Sequence, residues 1–127
     1  MTPEAEDYLK KARDHLDEAR KIAGIGLAKA AARSAYYAAL HAAQSFIVER
    51  TGRIAKTHSG VRSAFARLAK ETSSDGPALS TFLAQAYLYK EIADYGVGGS
   101  AELTMAEAHD AIAMAERFID WAAAAIE

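Results

Sequence analysis

The sequence contains no cysteine, and it has only two prolines among its 127 residues. The absence of thiols excludes disulfides, thiolate metal sites and a cysteine nucleophile, and it fits a reducing compartment. The N-terminus is charged throughout and lacks the apolar segment of a signal peptide. No stretch reaches the roughly 20 apolar residues that cross a bilayer. We therefore expect a cytoplasmic protein that makes no contact with a membrane.

An excess of one charge is also lacking. The formal net charge is −2, which gives the whole molecule no attraction for nucleic acid or anionic lipid, so a phosphate-binding surface would have to be a local patch. Hydrophobic residues make up 51% of the chain and charged residues 25%, so it has enough apolar surface to fold. We expect one compact domain that spans residues 1–127.

The sequence predicts helices and no strands. Thr2 precedes Pro3, and Thr104 stands three residues before Glu107, which are two arrangements typical of helix starts. Gly96 follows an apolar segment, as is typical of a helix end. No segment alternates between apolar and polar residues as a half-buried strand would. We predict an all-α, up-and-down bundle of four to five helices with the second, most apolar helix at its centre. The helices are expected from Pro3 to Gly24, Leu27 to Thr51, His58 to Glu71, Pro77 to Tyr95, and from Thr104 onward.

Two kinds of site are not supported by their sequence context. The glycine-rich segment "GVGGSAEL", residues 96–103, follows a predicted helix and no strand, so a flexible connection is a better interpretation than a phosphate-binding loop. The histidines show neither an i, i+4 pair nor a Glu-x-x-His motif, and no metal site or other cofactor is predicted. The four histidines are His15, His41, His58 and His109.

The second helix, "AARSAYYAALHAAQSF" at residues 31–46, carries two neighbouring ridges. Helical geometry places one apolar ridge toward a core, and it consists of Tyr36, Leu40, Ala43 and Ile47. The adjacent ridge is polar and consists of Arg33, Tyr37, His41 and Gln44. Such a row is either a satisfied hydrogen-bond network between helices or across a dimer, or a surface that contacts a phosphate group.

A short basic segment, "RIAKTHSG", leads into the third helix. It places Arg53, Lys56 and His58 near a helix N-terminus, where free N–H groups and the helix dipole favour anions. This segment predicts a phosphate contact. The alternative is an ordinary helix start that is capped by Thr57 or Ser59.

Three separated segments resemble small stand-alone HEPN-domain proteins, named for higher eukaryote and prokaryote nucleotide-binding. The segments are "RSAYYAALHAAQSFI", "KTHSGV" and "YLYKEIADYGVGGS…MAEAHDAIAMAERFI", and they stand in the family's order over nearly the whole chain. The resemblance implies a bundle of four or five helices that is commonly homodimeric. It also implies a minimal nucleotidyltransferase as partner in a toxin–antitoxin pair.

The resemblance further implies two activities. Active HEPN proteins are metal-independent ribonucleases with an Arg-x4-6-His motif in a dimer cleft, whereas in a related toxin group a tyrosine replaces the histidine and accepts AMP from the nucleotidyltransferase. This chain has Lys90 and Tyr95 at the matching positions. Lysine neutralises a phosphate only as a point charge, and tyrosine is a poor general base at neutral pH. The alternative for Lys90 is a surface ion pair with Asp94, four residues away.

These observations predict a HEPN protein that acts with a minimal nucleotidyltransferase as a toxin-like component. One activity predicted for it is that of a metal-independent endoribonuclease. In that nuclease, Arg33 or Lys90 would hold the scissile phosphate, and His41 or Tyr95 would assist proton transfer. The alternative is a non-catalytic module that binds nucleotide or RNA, or accepts AMP on Tyr95, and a third is a helical dimer with a structural role only. The residues expected to contact phosphate or RNA are Tyr37, Arg53, Lys56 and His58.

Overall fold

The computed structural model describes residues 1–96 and 102–127. These residues form five α-helices and contain no strand. The all-α prediction is therefore confirmed. In chain order the helices are α1 (Pro3–Gly24), α2 (Ala28–Thr51), α3 (His58–Thr72), α4 (Gly76–Tyr95) and α5 (Met105–Ile126).

The helix ends follow the capping signals of the sequence. The Thr2 hydroxyl accepts a hydrogen bond from the N–H of Ala5 at the start of α1. Thr104 and Glu107 form a reciprocal capping box at the start of α5. At the other end of α4, Gly96 has a φ of 63°, a left-handed conformation that favours glycine and ends the helix. Local chemistry therefore sets the observed boundaries to within one or two residues of the predicted ones.

Helix α2 lies at the centre and contacts each of the other four helices. Its many alanines allow neighbouring backbones to approach closely, and its predicted core ridge, which includes Tyr36, Leu40 and Ile47, is buried. Helix α1 runs antiparallel to α2, because His15 meets Tyr37 while Tyr8 meets His41. The up-and-down arrangement and the central place of α2 are therefore confirmed.

The core contains an apolar aromatic cluster that joins α2, α3 and α5. This cluster consists of Phe46, Phe65, Phe118 and Trp121, whose neighbouring ring centroids lie 4.8–5.7 Å apart. The three phenylalanines are fully buried. The Trp121 indole N–H donates to the Ser73 hydroxyl over 2.9 Å, so its one polar group is satisfied. This cluster fixes the packing of the three helices.

Two further predictions, on the glycine-rich segment and on membrane-spanning helices, can be compared with the described residues only. Most of the segment 96–103, predicted to be a flexible connection, lies outside the described residues. In the part of the chain that is described, no helix is both long enough and apolar enough to span a membrane.

Candidate functional site

A second group of rings lies where α1, α2, α3 and α4 meet, and we call it the polar aromatic cluster. Neighbouring ring centroids are 5.2–6.4 Å apart. Helical spacing builds it, because residues four or seven apart share a helix face. Its members are Tyr8 and His15 from α1, Tyr36, Tyr37 and His41 from α2, His58 from α3 and Tyr87 from α4.

His41 is held as a neutral imidazole. The Gln44 side-chain N–H donates to the carbonyl of Ala55 over 3.0 Å, which turns the Gln44 oxygen toward His41 Nδ1 at 2.7 Å. Nδ1 is therefore the N–H donor, and Nε2 carries a free lone pair. Burial lowers the pKa of His41 against the opposing effect of the Gln44 hydrogen bond. Its ring stacks on that of His15 at 5.2 Å.

Tyr36 and His58 form a second defined pair, with the Tyr36 hydroxyl 2.5 Å from His58 Nδ1. Burial raises the pKa of Tyr36, so its hydroxyl keeps its proton and donates it in this bond. Burial, with the nearby positive charges of Lys90 and Arg62, lowers the pKa of His58. His58 is therefore neutral at pH 7, with its remaining proton on Nε2.

Arg62 lies one turn after His58 and covers the ring of Tyr87. Its guanidinium carbon is 4.2 Å from the ring centroid, a cation–π contact. Its Nη1 is buried and has no hydrogen-bond partner among the residues that the structure describes. Arg62 therefore adds to the positive charge near His58, and its guanidinium is only partly hydrogen-bonded among the described residues.

Beside the cluster, Asp94 joins two cations from different helices, and we call Arg33, Lys90 and Asp94 the ion triad. The Arg33 Nε donates to one carboxylate oxygen over 2.6 Å, and the Lys90 Nζ donates to the other over 3.1 Å. Burial raises the pKa of Asp94, but the hydrogen bonds from Lys90 and Arg33 together hold it below its ordinary value. The hydrogen bond to Asp94 raises the pKa of Lys90. Lys90 and Asp94 are therefore charged at neutral pH.

The Lys90–Asp94 pair differs from the surface ion pair that the sequence suggested. The Lys90 side chain is only 10% exposed and that of Asp94 21% exposed. The reason is tertiary, because Arg33 from α2 closes over the pair and stacks its guanidinium 5.0 Å from the Tyr37 centroid.

Tyr95 is the last residue of α4 and lies at the open edge of the ion triad. The residue is 68% exposed, and the Lys90 Nζ lies 5.5 Å from its ring centroid. Leu88, two turns earlier on α4, is 61% exposed. The phenol of Tyr95 is therefore open to a macromolecular partner, with a fixed positive charge beside it.

The structure gathers some of the predicted residues and leaves others apart. Lys90 lies beside Tyr95, and Arg33 lies over the ring of Tyr37. The Tyr37 ring is also next to those of His41 and His58, at 6.4 and 6.2 Å. No contact joins Arg33 to His41 in the described residues, because Arg33 turns toward Asp94 and His41 toward Gln44.

Arg53 and Lys56 lie away from the ion triad and the polar aromatic cluster. Both are exposed in the segment between α2 and α3, and the structure gives neither side chain a contact with the polar aromatic cluster in its described part. Thr57 caps α3 by accepting a hydrogen bond from the N–H of Gly60 over 3.0 Å. The start of α3 therefore has the ordinary cap that the sequence offered as an alternative.

Several members of the site were not singled out from the sequence. His15, Arg62 and Tyr87 were missed, and Asp94 was considered only as the partner of Lys90. A signal existed in the spacing: Arg62 follows His58 by four residues, and Lys90 follows Tyr87 by three. In each pair a cationic side chain and a ring share one face of a helix. Such a face is expected to pack against another polar face.

Comparison with known proteins agrees with this fold. The family model described as "HEPN domain" matches residues 5–125. The chain belongs to the HEPN family. Its fold is similar to that in the crystal structure of TT1696 from Thermus thermophilus, with a TM-score of 0.81, 24% sequence identity, and 98% of this chain and 99% of that chain covered. No curated protein matches the sequence.

Within residues 1–96 and 102–127, no group of three or more His, Asp or Glu residues lies close enough together to hold a metal ion. The HEPN family includes toxin and ribonuclease members. The groups that the described site offers are imidazole, phenol, carboxylate and positively charged side chains.

Proposed function

We propose that this HEPN protein is the toxin-like component of a toxin–antitoxin pair, and that a minimal nucleotidyltransferase is its partner and transfers AMP to Tyr95. The observation that carries this proposal is the exposed phenol of Tyr95 at the end of α4, beside the Lys90 ammonium. A partner that uses ATP would meet the protein in the cytoplasm.

The transfer is a displacement at phosphorus. The Tyr95 hydroxyl oxygen attacks the α-phosphorus of ATP, a new oxygen–phosphorus bond forms, and the bond to pyrophosphate breaks. Pyrophosphate leaves, and the phenolic proton passes to a base on the nucleotidyltransferase or to water. Lys90 stabilises the anionic phosphate next to the phenol, because a positive charge that is already ordered needs no rearrangement during the reaction.

A homodimer is part of the same proposal. Leu88 and Tyr95 are exposed on one side of α4, and a second copy of the chain is expected to cover the apolar part of this side. The Arg33 and Lys90 side chains of two copies would then border one cleft and double its positive charge.

A metal-independent ribonuclease is the second candidate, and His41 is the observation that favours it. A neutral imidazole with a free Nε2 lone pair can accept the proton of a ribose 2′-hydroxyl. This function ranks second, because no contact brings either cation of the ion triad to His41 in the described residues.

The first experiment measures AMP transfer by intact-protein mass spectrometry. The purified chain is incubated with ATP, Mg²⁺ and the nucleotidyltransferase of the same source, and the expected result is a mass increase of one AMP. Tyr95→Phe should abolish the increase. Tyr89→Phe, on the same helix but packed toward α5, is the matched control and should retain it. Transfer to Tyr95→Phe would contradict the proposal.

The second experiment measures RNA cleavage in excess EDTA by the wild type, His41→Ala and Lys90→Ala. The leading proposal predicts no cleavage by any of them. Cleavage by the wild type that is lost in His41→Ala would establish the nuclease in place of the AMP acceptor as the main activity. Cleavage that survives in both variants would indicate a contaminating nuclease.

A further inference from the structure

The ion triad contains a carboxylate where a phosphate group would fit. Asp94 presents its two oxygens to cations from two helices, as a phosphate presents two of its oxygens to a pair of cationic side chains. Arg33 uses only Nε in this pair, so its two terminal nitrogens have no acceptor among the described residues. The Arg33 side chain is 46% exposed, so an anion in solution can reach it.

We propose that Asp94 is an internal anion that occupies a phosphate site between Arg33 and Lys90, and that phosphate monoesters displace it more readily than phosphate diesters. This binding site needs neither the nucleotidyltransferase nor the modification of Tyr95. Its ligand class is a phosphate group with two negative charges, whether it belongs to a nucleoside monophosphate or to free phosphate.

The charge of the ligand decides the competition. A diester carries one negative charge, the same as Asp94, but Asp94 is tethered to α4 and is therefore always present at a high effective concentration. A monoester above its second pKa of about 6 carries close to two charges and three acceptor oxygens. It therefore gains more from Arg33 and Lys90 than a diester does. Asp94 thus raises the concentration at which either ligand binds, while the two cations set the preference for the monoester.

Asp94 has an alternative role that makes the opposite prediction. In this role Asp94 would only position Arg33 and Lys90, because its negative charge reduces the repulsion between the two cations. In that case a phosphate would bind to the free terminal nitrogens of Arg33 with Asp94 in place, and removal of the carboxylate would weaken binding. The sign of the effect of Asp94→Asn therefore separates the two roles.

The test is a binding titration of the full chain, followed by NMR, with AMP and 3′,5′-cyclic AMP at pH 8. These probes share a base and a ribose but differ in phosphate charge. The wild type is expected to bind AMP and to bind cyclic AMP more weakly. Asp94→Asn should strengthen binding of both by about the same factor, roughly five- to tenfold, because the cost of displacing the carboxylate is the same for either ligand. Asp110→Asn, at an exposed position on α5, is the matched control.

Two further arms complete the test. Arg33→Gln should abolish AMP binding; because Arg33 is exposed, this variant keeps the proposal testable even if Asp94→Asn does not fold. Inorganic phosphate at the same pH distinguishes the sources: equal binding of phosphate and AMP assigns the site to phosphate itself, and binding of AMP alone assigns it to nucleotides. Weaker or unchanged binding by Asp94→Asn, a wild type that binds cyclic AMP as tightly as AMP, or no binding of either probe would overturn the proposal.

Discussion

The two aromatic clusters of this bundle have opposite characters, although α2 and α3 contribute to both. The apolar aromatic cluster of Phe46, Phe65, Phe118 and Trp121 has three fully buried rings, and Ser73 satisfies its one polar group. The polar aromatic cluster consists of tyrosines and histidines that lie beside four cations. Specific hydrogen bonds hold Tyr36, His41 and His58, and Tyr95 is exposed beside the cluster.

We propose that the two clusters separate stability from function in this fold. Burial of phenylalanine contributes free energy without requiring a partner for any polar atom. Burial of a tyrosine or a histidine contributes less, because each polar atom must be satisfied, and positive charge nearby disfavours a protonated imidazole. Under the proposed function, this costly arrangement serves the chemistry of the exposed phenol. Changes in the two clusters should therefore differ in what they affect.

The largest expected effect comes from the apolar aromatic cluster. Phe118→Ala removes a fully buried ring that packs 4.8 Å from Phe65 and should lower the free energy of unfolding by about 3–5 kcal/mol. Chemical denaturation monitored by circular dichroism measures this. A loss below about 1 kcal/mol would mean that the cluster does not hold the bundle together.

A smaller loss is expected in the polar aromatic cluster. Tyr36→Phe leaves His58 Nδ1 without its donor and should lower the free energy of unfolding by about 1 kcal/mol. Tyr8→Phe is the control, because the Tyr8 hydroxyl makes no hydrogen bond with the described residues. Equal free energies of unfolding for the two variants would contradict a stabilising role of the hydrogen bond from Tyr36 to His58.

The dependence of stability on pH should come from the polar aromatic cluster and should be smaller still. The pKa values of His41 and His58 lie below the ordinary value of about 6.5, so the unfolded chain binds more protons once the pH falls below that value. Their contribution therefore lowers stability as the pH falls from 7 through the folded pKa values. His41→Gln and His58→Gln should each flatten this decline, and His109→Gln, exposed on α5, should leave it as in the wild type. Urea denaturation at a series of pH values tests this.

Local chemistry made most of the fold predictable. Thr2, Thr104 and Gly96 act through neighbours in sequence, and the two ridges of α2 follow from helical geometry alone. The apolar ridge could be recognised because nothing but a core suits it. The boundaries and the class of fold therefore needed no tertiary information.

The candidate site could be predicted only in part, because its contacts cross between helices. Arg33 and Asp94 are 61 residues apart, and nothing local to either indicates that one carboxylate serves both Arg33 and Lys90. Arg53 carries the same charge as Arg33, yet it lies in an exposed connection away from the rings. The residue types predict which side chains are able to bind phosphate. The packing of the helices determines which of these side chains lie close together.

The smallest effect on stability is expected at the residue with the largest proposed role. Tyr95 is exposed, so Tyr95→Phe should change the free energy of unfolding by no more than about 0.5 kcal/mol. Denaturation of this variant beside the wild type measures the change. A larger loss would show that the phenol has a structural partner, and it would weaken its assignment as an acceptor.

The most direct test of the account is a paired measurement of stability and AMP transfer in Phe118→Leu and Tyr95→Phe. Phe118→Leu alters the apolar aromatic cluster more mildly than alanine, so the chain stays folded. The account predicts that Phe118→Leu loses stability but retains transfer, while Tyr95→Phe retains stability but loses transfer. Transfer to folded Tyr95→Phe at the wild-type level would contradict it, and so would loss of transfer in Phe118→Leu that remains folded.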